Sequence, residues 1–154
     1  MTTLQIGDKA PDFQLTLSNG NTIQLSGYKG RKLILYFYPK DDTPGCTAEA
    51  CNLRDNMQLL QEKGFEIVGV SPDSEARHDK FSAKYDLKFN LIPDTEHKIM
   101  NDYGVWAEKS MYGKKYMGVV RTTFVIDENG NIQKIFEKVK TKEHSQQILK
   151  EFDL

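Results

Sequence analysis

The sequence predicts an α/β fold: a mixed central sheet flanked by helices, with an N-terminal β-hairpin. Three observations predict it. Residues 32–38 (Lys-Leu-Ile-Leu-Tyr-Phe-Tyr) and 65–71 (Phe-Glu-Ile-Val-Gly-Val-Ser) are nearly continuous apolar runs, the mark of strands covered on both faces. Helical patterns follow each of them. The element order is hairpin, then β-α-β-α-(β)-α-β-β-α, and a β-α-β start with a β-β-α finish calls for a mixed sheet between helices.

The elements follow in order. Residues 10–17 alternate, with Phe13, Leu15 and Leu17 on one side. Asn19-Gly20 then separates them from residues 22–25, a strong hairpin signal. Residues 27–31 are loop, and the first central strand comes next. A long helical pattern covers 44–63 and ends at Gly64, a C-cap residue. Pro72 stops the second central strand, and 74–85 form a helix with Phe81 and Tyr85 in register. Residues 89–92 make a short strand. Asp94 or Thr95 caps a short helix through Tyr103, closed by Gly104. Residues 105–118, rich in Lys, Tyr and Met, are a long loop. Residues 119–126 form a strand, 128–131 a turn and 132–139 its antiparallel partner. Residues 141–152 close the chain as a helix with Ile148, Leu149 and Phe152 inward.

At 154 residues the chain makes one domain, residues 1–154. Its 21 basic and 22 acidic residues give a net charge of −1, which argues against nucleic-acid binding. No apolar run is long enough to span a membrane. The stretch Met1–Asp8 has no basic or apolar region of a signal peptide. A cytoplasmic location follows, and two cysteines in a reducing compartment suit catalysis or metal binding better than a standing bridge.

Both cysteines sit where the first central strand hands over to the long helix. Thr43 is a good N-cap and Pro44 suits the first helical position. Cys46 is then the third residue of the first turn, where unpartnered N–H groups and the helix dipole favour a thiolate. Cys46, Ala50, Leu53, Met57 and Leu60 share one stripe, so Cys46 faces inward. Cys51 lies roughly 140° around the helix, with the two Cα atoms about 8–9 Å apart. A disulfide needs less than about 7 Å. If the pair is redox-active, the first turns of the helix must unwind. Other polar residues get plainer readings: Glu49 as an exposed helix residue in preference to a group that orients Arg121, His78, His97 and His144 as solvated, Lys114-Lys115 as solvated loop, and Trp106 as a core or loop anchor.

A cysteine at the helix start after the first core strand is the layout of a thioredoxin-like fold. Within it, Pro39-x-x-x-Thr43-x-x-Cys46 resembles the active-site signature of the peroxiredoxins, and Arg121 before Thr122-Thr123-Phe124 matches their fourth signature residue. Gly7-Asp8-x-Ala10-Pro11-Asp12-Phe13 is similar to the family's N-terminal segment. The stretch 111–118 and the five-residue step to Cys51 resemble the bacterioferritin comigratory protein, or peroxiredoxin Q, subfamily. The resemblance covers essentially the whole chain. It implies a peroxidase for hydrogen peroxide and organic hydroperoxides, with Cys46 peroxidatic, Cys51 resolving, and thioredoxin or a similar dithiol as reductant. It further implies that Thr43, Arg121 and backbone amides near Gly45 stabilise the reacting oxygens, that Pro39 shields the sulfur, that the protein is a monomer, and that no metal or organic cofactor is needed.

Other classes fit less well. A thioredoxin-like reductase wants Cys-x-x-Cys, and here four residues intervene. A cysteine phosphatase wants Cys-x5-Arg, but position 52 is Asn and Arg54 is misplaced. Two cysteines and three distant histidines make no zinc module. Gly113 to Gly118 is followed by Val119-Val120 where a P-loop needs Lys-Ser/Thr. The non-enzyme rival is a redox-sensing or chaperone-like protein that uses the same disulfide as a switch. Turnover separates the two.

Overall fold

Strand β3 (Lys32–Phe37) is the axis of the fold. It pairs in parallel with β4 (Phe65–Ser71) on one side and antiparallel with β8 (Thr122–Ile126) on the other. β5 (Asn90–Pro93) extends the sheet beyond β4, and β9 (Ile132–Phe136) beyond β8, giving the order β5-β4-β3-β8-β9. The sheet is therefore mixed, as the element order required. The computed structural model describes residues 2–154; Met1, the first residue of the expected domain, lies outside them.

Alternation along β3 builds two cores. Leu33, Leu35 and Phe37 join Phe124, Tyr103 and Met100 on one face. Ile34, Tyr36 and the following Tyr38 join Cys46, Ala50, Leu53 and Phe81 on the other. Tyr36 lies opposite Gly69 of β4, where a Cβ would stand 2.8 Å from the tyrosine ring. Only glycine leaves room for that ring in the sheet. The N-terminal hairpin joins β1 (Gln14–Thr16) to β2 (Thr22–Gln24) through Gly20 at φ +89°.

The expected helix over 44–63 is two helices, α1 (Pro44–Asp55) and α2 (Met57–Glu62). Asn56 breaks it, with φ −107° and ψ 7°. Its side-chain amide donates to the Asn52 carbonyl at 2.8 Å, competing with the backbone ladder. α3 (Glu75–Tyr85) is capped by Ser74, whose hydroxyl accepts the Arg77 amide. α4 (Lys98–Asp102) starts later than its cap, because the Asp94 carboxylate reaches forward to the amides of Ile99 and Met100. A 3-10 turn (Thr141–Glu143) leads into the last helix, α5 (His144–Glu151).

One segment departs from its expected form. Residues 105–118 are not a loop: β6 (Trp106–Met111) and β7 (Lys114–Val119) form an antiparallel hairpin. Its two turn residues, Tyr112 and Gly113, have φ +52° and +77°, the signs of a type I′ turn. Tyrosine is not a usual first residue of that turn, and residues 111–117 are exposed on both faces. Neither the turn signal nor apolar alternation was there to read. The strand expected over 119–126 is accordingly split, with Val120 and Arg121 between β7 and β8. Among the described residues no helix is long and apolar enough to cross a membrane.

Candidate active site

β3 and its continuation carry Tyr38 and Pro39 past the C-terminal end of the central strand, and residues 39–43 lead into α1. The turn is held from several sides. Tyr38 donates its hydroxyl to the buried Asp41 carboxylate at 2.6 Å, and the Asp41 amide donates to Asp73 at 2.7 Å. Asp42, at φ +58°, is tied to Lys84 and Tyr85 of α3. His78, expected to be solvated, is only 3% exposed: Nδ1 meets Asp41 at 2.6 Å and Nε2 donates to the Ile92 carbonyl at 3.0 Å. The correction has a plain cause. His78 sits among polar neighbours in sequence, and its partners come from two distant segments.

Thr43 does take the N-cap position, with extended backbone and Pro44 first in the helix. Its hydroxyl does not cap, however. It donates to the Lys40 carbonyl at 2.8 Å and closes the turn. Cys46 is 2% exposed, and Ala50, Leu53 and Leu60 of its stripe are buried with it, Met57 half-buried. Pro39 is half-buried. Cys51 is on the same helix, half-exposed, and both cysteines are free. Cys46 and Cys51 are thus not brought together while α1 is wound.

Arg121 is brought to the sulfur. Its Nη2 donates to Cys46 Sγ at 3.2 Å, and its Nη1 to Glu49 Oε1 at 2.6 Å. The position depends on Gly45, where a Cβ would stand 3.3 Å from Arg121 Nη2. Glu49 corrects the exposed reading: it is fully buried. Three residues after Cys46, it lies on the same helix face, and the guanidinium draws it inward. Burial raises its proton affinity against the opposing effect of Arg121, from 4.5 to about 7. Its Oε2 has no hydrogen-bond partner among the described residues, and His144 Nε2 stands 3.7 Å away.

His144, also expected to be solvated, is fully buried. Gln147 Oε1 accepts the Lys140 amide, so that atom is the oxygen, and His144 Nδ1 must donate to it at 2.9 Å. Nε2 is then the acceptor for the Thr123 hydroxyl at 2.8 Å. Burial and the nearby Arg121 charge, against the Gln147 bond, lower its proton affinity from 6.5 to about 4, so the ring is neutral near pH 7. Tyr36 is fully buried on the same face, its hydroxyl without a partner among the described residues. Burial first, then the charges of Glu49 and Cys46, keep it protonated far above the ordinary tyrosine range. His97 is half-buried against Trp106, with ring centroids 3.8 Å apart, so Trp106 anchors the base of the β6–β7 hairpin.

The arrangement suits attack by a sulfur anion. A fixed positive charge touches the sulfur, the sulfur is buried, and the turn that leads into its helix is held by several hydrogen bonds. Asp41, Asp73 and His78 also offer atoms within 4.8 Å of one another, the spacing of a metal site. Their hydrogen bonds to Tyr38, Ser71 and the Asp41 amide, and the Arg77 ion pair, already use them as a structural network.

Residues 6–135 match the AhpC/TSA family. The chain is 49% identical over 147 residues to the peroxiredoxin Bcp of Bacillus subtilis, covering 96% of this chain and 94% of that protein. It is 41% identical over 149 residues to the peroxiredoxin Bcp of Escherichia coli, covering 97% and 96%. Among solved structures, the PrxQ of Xylella fastidiosa superposes with a TM-score of 0.90 at 31% identity, over 99% of this chain and 98% of that one. The bacterioferritin comigratory protein of Xanthomonas campestris, described for its alkyl peroxide reduction activity, gives 0.86 at 35% identity, over 99% and 98%.

Proposed function

The chain belongs to the AhpC/TSA family, and we propose that it is a thiol peroxidase in which Cys46 is the peroxidatic and Cys51 the resolving cysteine. The observation that carries the reading is the bridge Cys46–Arg121–Glu49, with its contacts of 3.2 and 2.6 Å. The Cys46 thiolate attacks one oxygen of a hydroperoxide. The O–O bond breaks, the leaving oxygen takes a proton, and water or an alcohol departs from a Cys46 sulfenic acid. The Cys51 thiol then attacks that sulfur; the S–S bond forms, the S–O bond breaks, and water leaves. Thioredoxin or a similar dithiol reduces the bridge.

Thiolate formation alone does not account for catalysis, since enzymes commonly supply about 8 kcal/mol or more. Charge moves from sulfur to the leaving oxygen, so donors fixed along that line do most of the work. Arg121 is one, and the free amides of the first turn of α1 are others. Thr43 takes a different part. Its hydroxyl hydrogen is engaged by the Lys40 carbonyl, so its oxygen is left to accept an O–H of the hydroperoxide. Pro39, half-buried in front of the turn, keeps water from the sulfur.

No step of this scheme requires a metal or organic cofactor, a nucleic acid or a membrane. The protein is read as a monomeric cytoplasmic enzyme that acts through all of residues 1–154. A redox-sensing or chaperone-like role would use the same bridge, and no separate observation favours it. Catalytic peroxide loss with thioredoxin and its reductase tests the reading. It should depend wholly on Cys46, and a Cys46→Ser protein that kept wild-type turnover would overturn it.

A further inference from the structure

For Cys46 and Cys51 to meet, α1 must unwind between them, and the residue next to Cys51 is tied down from outside the helix. Asn52 Nδ2 donates to the Lys142 carbonyl at 3.1 Å and to Gln146 Oε1 at 3.0 Å. Its Oδ1 accepts the Ser145 amide at 2.7 Å, and its carbonyl accepts the Ser145 hydroxyl at 3.2 Å. Ser145 is fully buried at the start of α5. None of these bonds uses a group from residues 43–51. The tertiary polar ties of the segment that must unwind are of another kind: they run from Cys46 and Glu49 to Arg121.

We propose that Asn52 is a positioning residue for the disulfide step: a clamp to α5 that halts the unwinding of α1 and holds Cys51 still while Cys46 comes to it. The proposal rests on the peroxidase reading above. The unwinding also has a natural limit at this residue. The Asn52 carbonyl accepts the Asn56 amide at 3.2 Å, a bond that uses no group from residues 43–51. Amides up to Asp55 lose their helical acceptors when residues 43–51 unwind, whereas the Asn56 amide keeps its own. Asn56 is therefore the reporter of where the unwinding stops.

The test compares amide exchange in the full chain, reduced and after one equivalent of hydrogen peroxide, for wild type and Asn52→Ala. In oxidised wild type the Asn56 amide should keep its reduced-state protection. In oxidised Asn52→Ala it should exchange about tenfold faster, the effect of losing one or two net hydrogen bonds. The reduced variant should show no such change, which separates the clamp from a general loss of stability. The Cys46–Cys51 bridge should also form more slowly in the variant, with more Cys46 carried to sulfinic acid by excess peroxide. Equal Asn56 protection in the two oxidised proteins would overturn the proposal. Ser145→Ala, which removes the bond to the Asn52 carbonyl, gives the same comparison if Asn52→Ala does not fold. A mass measurement runs alongside: if oxidised wild type holds no 46–51 bridge, it is the resolving role of Cys51 that fails, not the clamp.

Discussion

Glu49→Gln removes a fully buried proton-binding site from the active centre. A carboxyl that binds its proton at about 7 when folded and at 4.5 when free prefers the folded state in its protonated form. Its contribution to stability is therefore complete below 4.5, falls as pH rises through that value, and levels off above about 7. At about 1.4 kcal/mol per tenfold change in proton affinity, the whole fall is about 3 kcal/mol. His144 works in the opposite sense over nearly the same range. Its affinity is lowered from 6.5 to about 4, so its contribution is complete above 6.5 and is lost as pH falls towards 4. The stability of the wild-type protein alone thus hides both effects. The difference between Glu49→Gln and wild type isolates the first, since His144 is present in both. Urea unfolding of the two reduced proteins at a series of pH values should show Glu49→Gln gaining about 3 kcal/mol on wild type between pH 4.5 and 7.5. A difference that stays flat, or falls with pH, would refute the claim that Glu49 is buried against a net cost.

Arg121→Ala should lower kcat/KM by about 10²–10³, the usual loss for one donor to a developing charge. Arg121→Lys should recover little in steady-state assays, because an ammonium cannot bridge sulfur and carboxylate as a fork does. Gly45→Ala should separate activity from stability. The new methyl crowds Arg121 Nη2 at 3.3 Å and should cut kcat/KM, while the free energy of unfolding should stay within about 1 kcal/mol of wild type. An alanine protein with full activity would show that the guanidinium tolerates the displacement. Cys51→Ser should consume one equivalent of peroxide per chain and then stop with thioredoxin as donor. Sustained turnover would require another route of resolution.

Much of this site was legible because its signals are local. The apolar run of β3, the Thr43-Pro44 start and the stripe from Cys46 to Leu60 each follow from neighbours in sequence. What was misread depends on distant partners. Glu49 looked exposed because a charge on a helix usually faces water, and its guanidinium lies 72 residues away. Its place three residues after Cys46 was the one available signal. His78 and His144 stand among polar residues, yet Asp41 and Thr123 meet them inside the fold. The β6–β7 hairpin is hard to read for a different reason: residues 111–117 are exposed on both faces and carry no alternation. The break at Asn56 goes with a side chain that shares the Asn52 carbonyl with its own backbone amide, which periodicity does not register.

The central claim is that two sulfurs held apart on one helix close on each other after the inner one is oxidised. Thiol titration with intact and peptide mass analysis, before and after one equivalent of hydrogen peroxide, tests it directly. The account predicts two free thiols before and none after, with a protein lighter by two hydrogens and a peptide linking Cys46 to Cys51. Free thiols that persist, or a bridge found only between two chains, would contradict it.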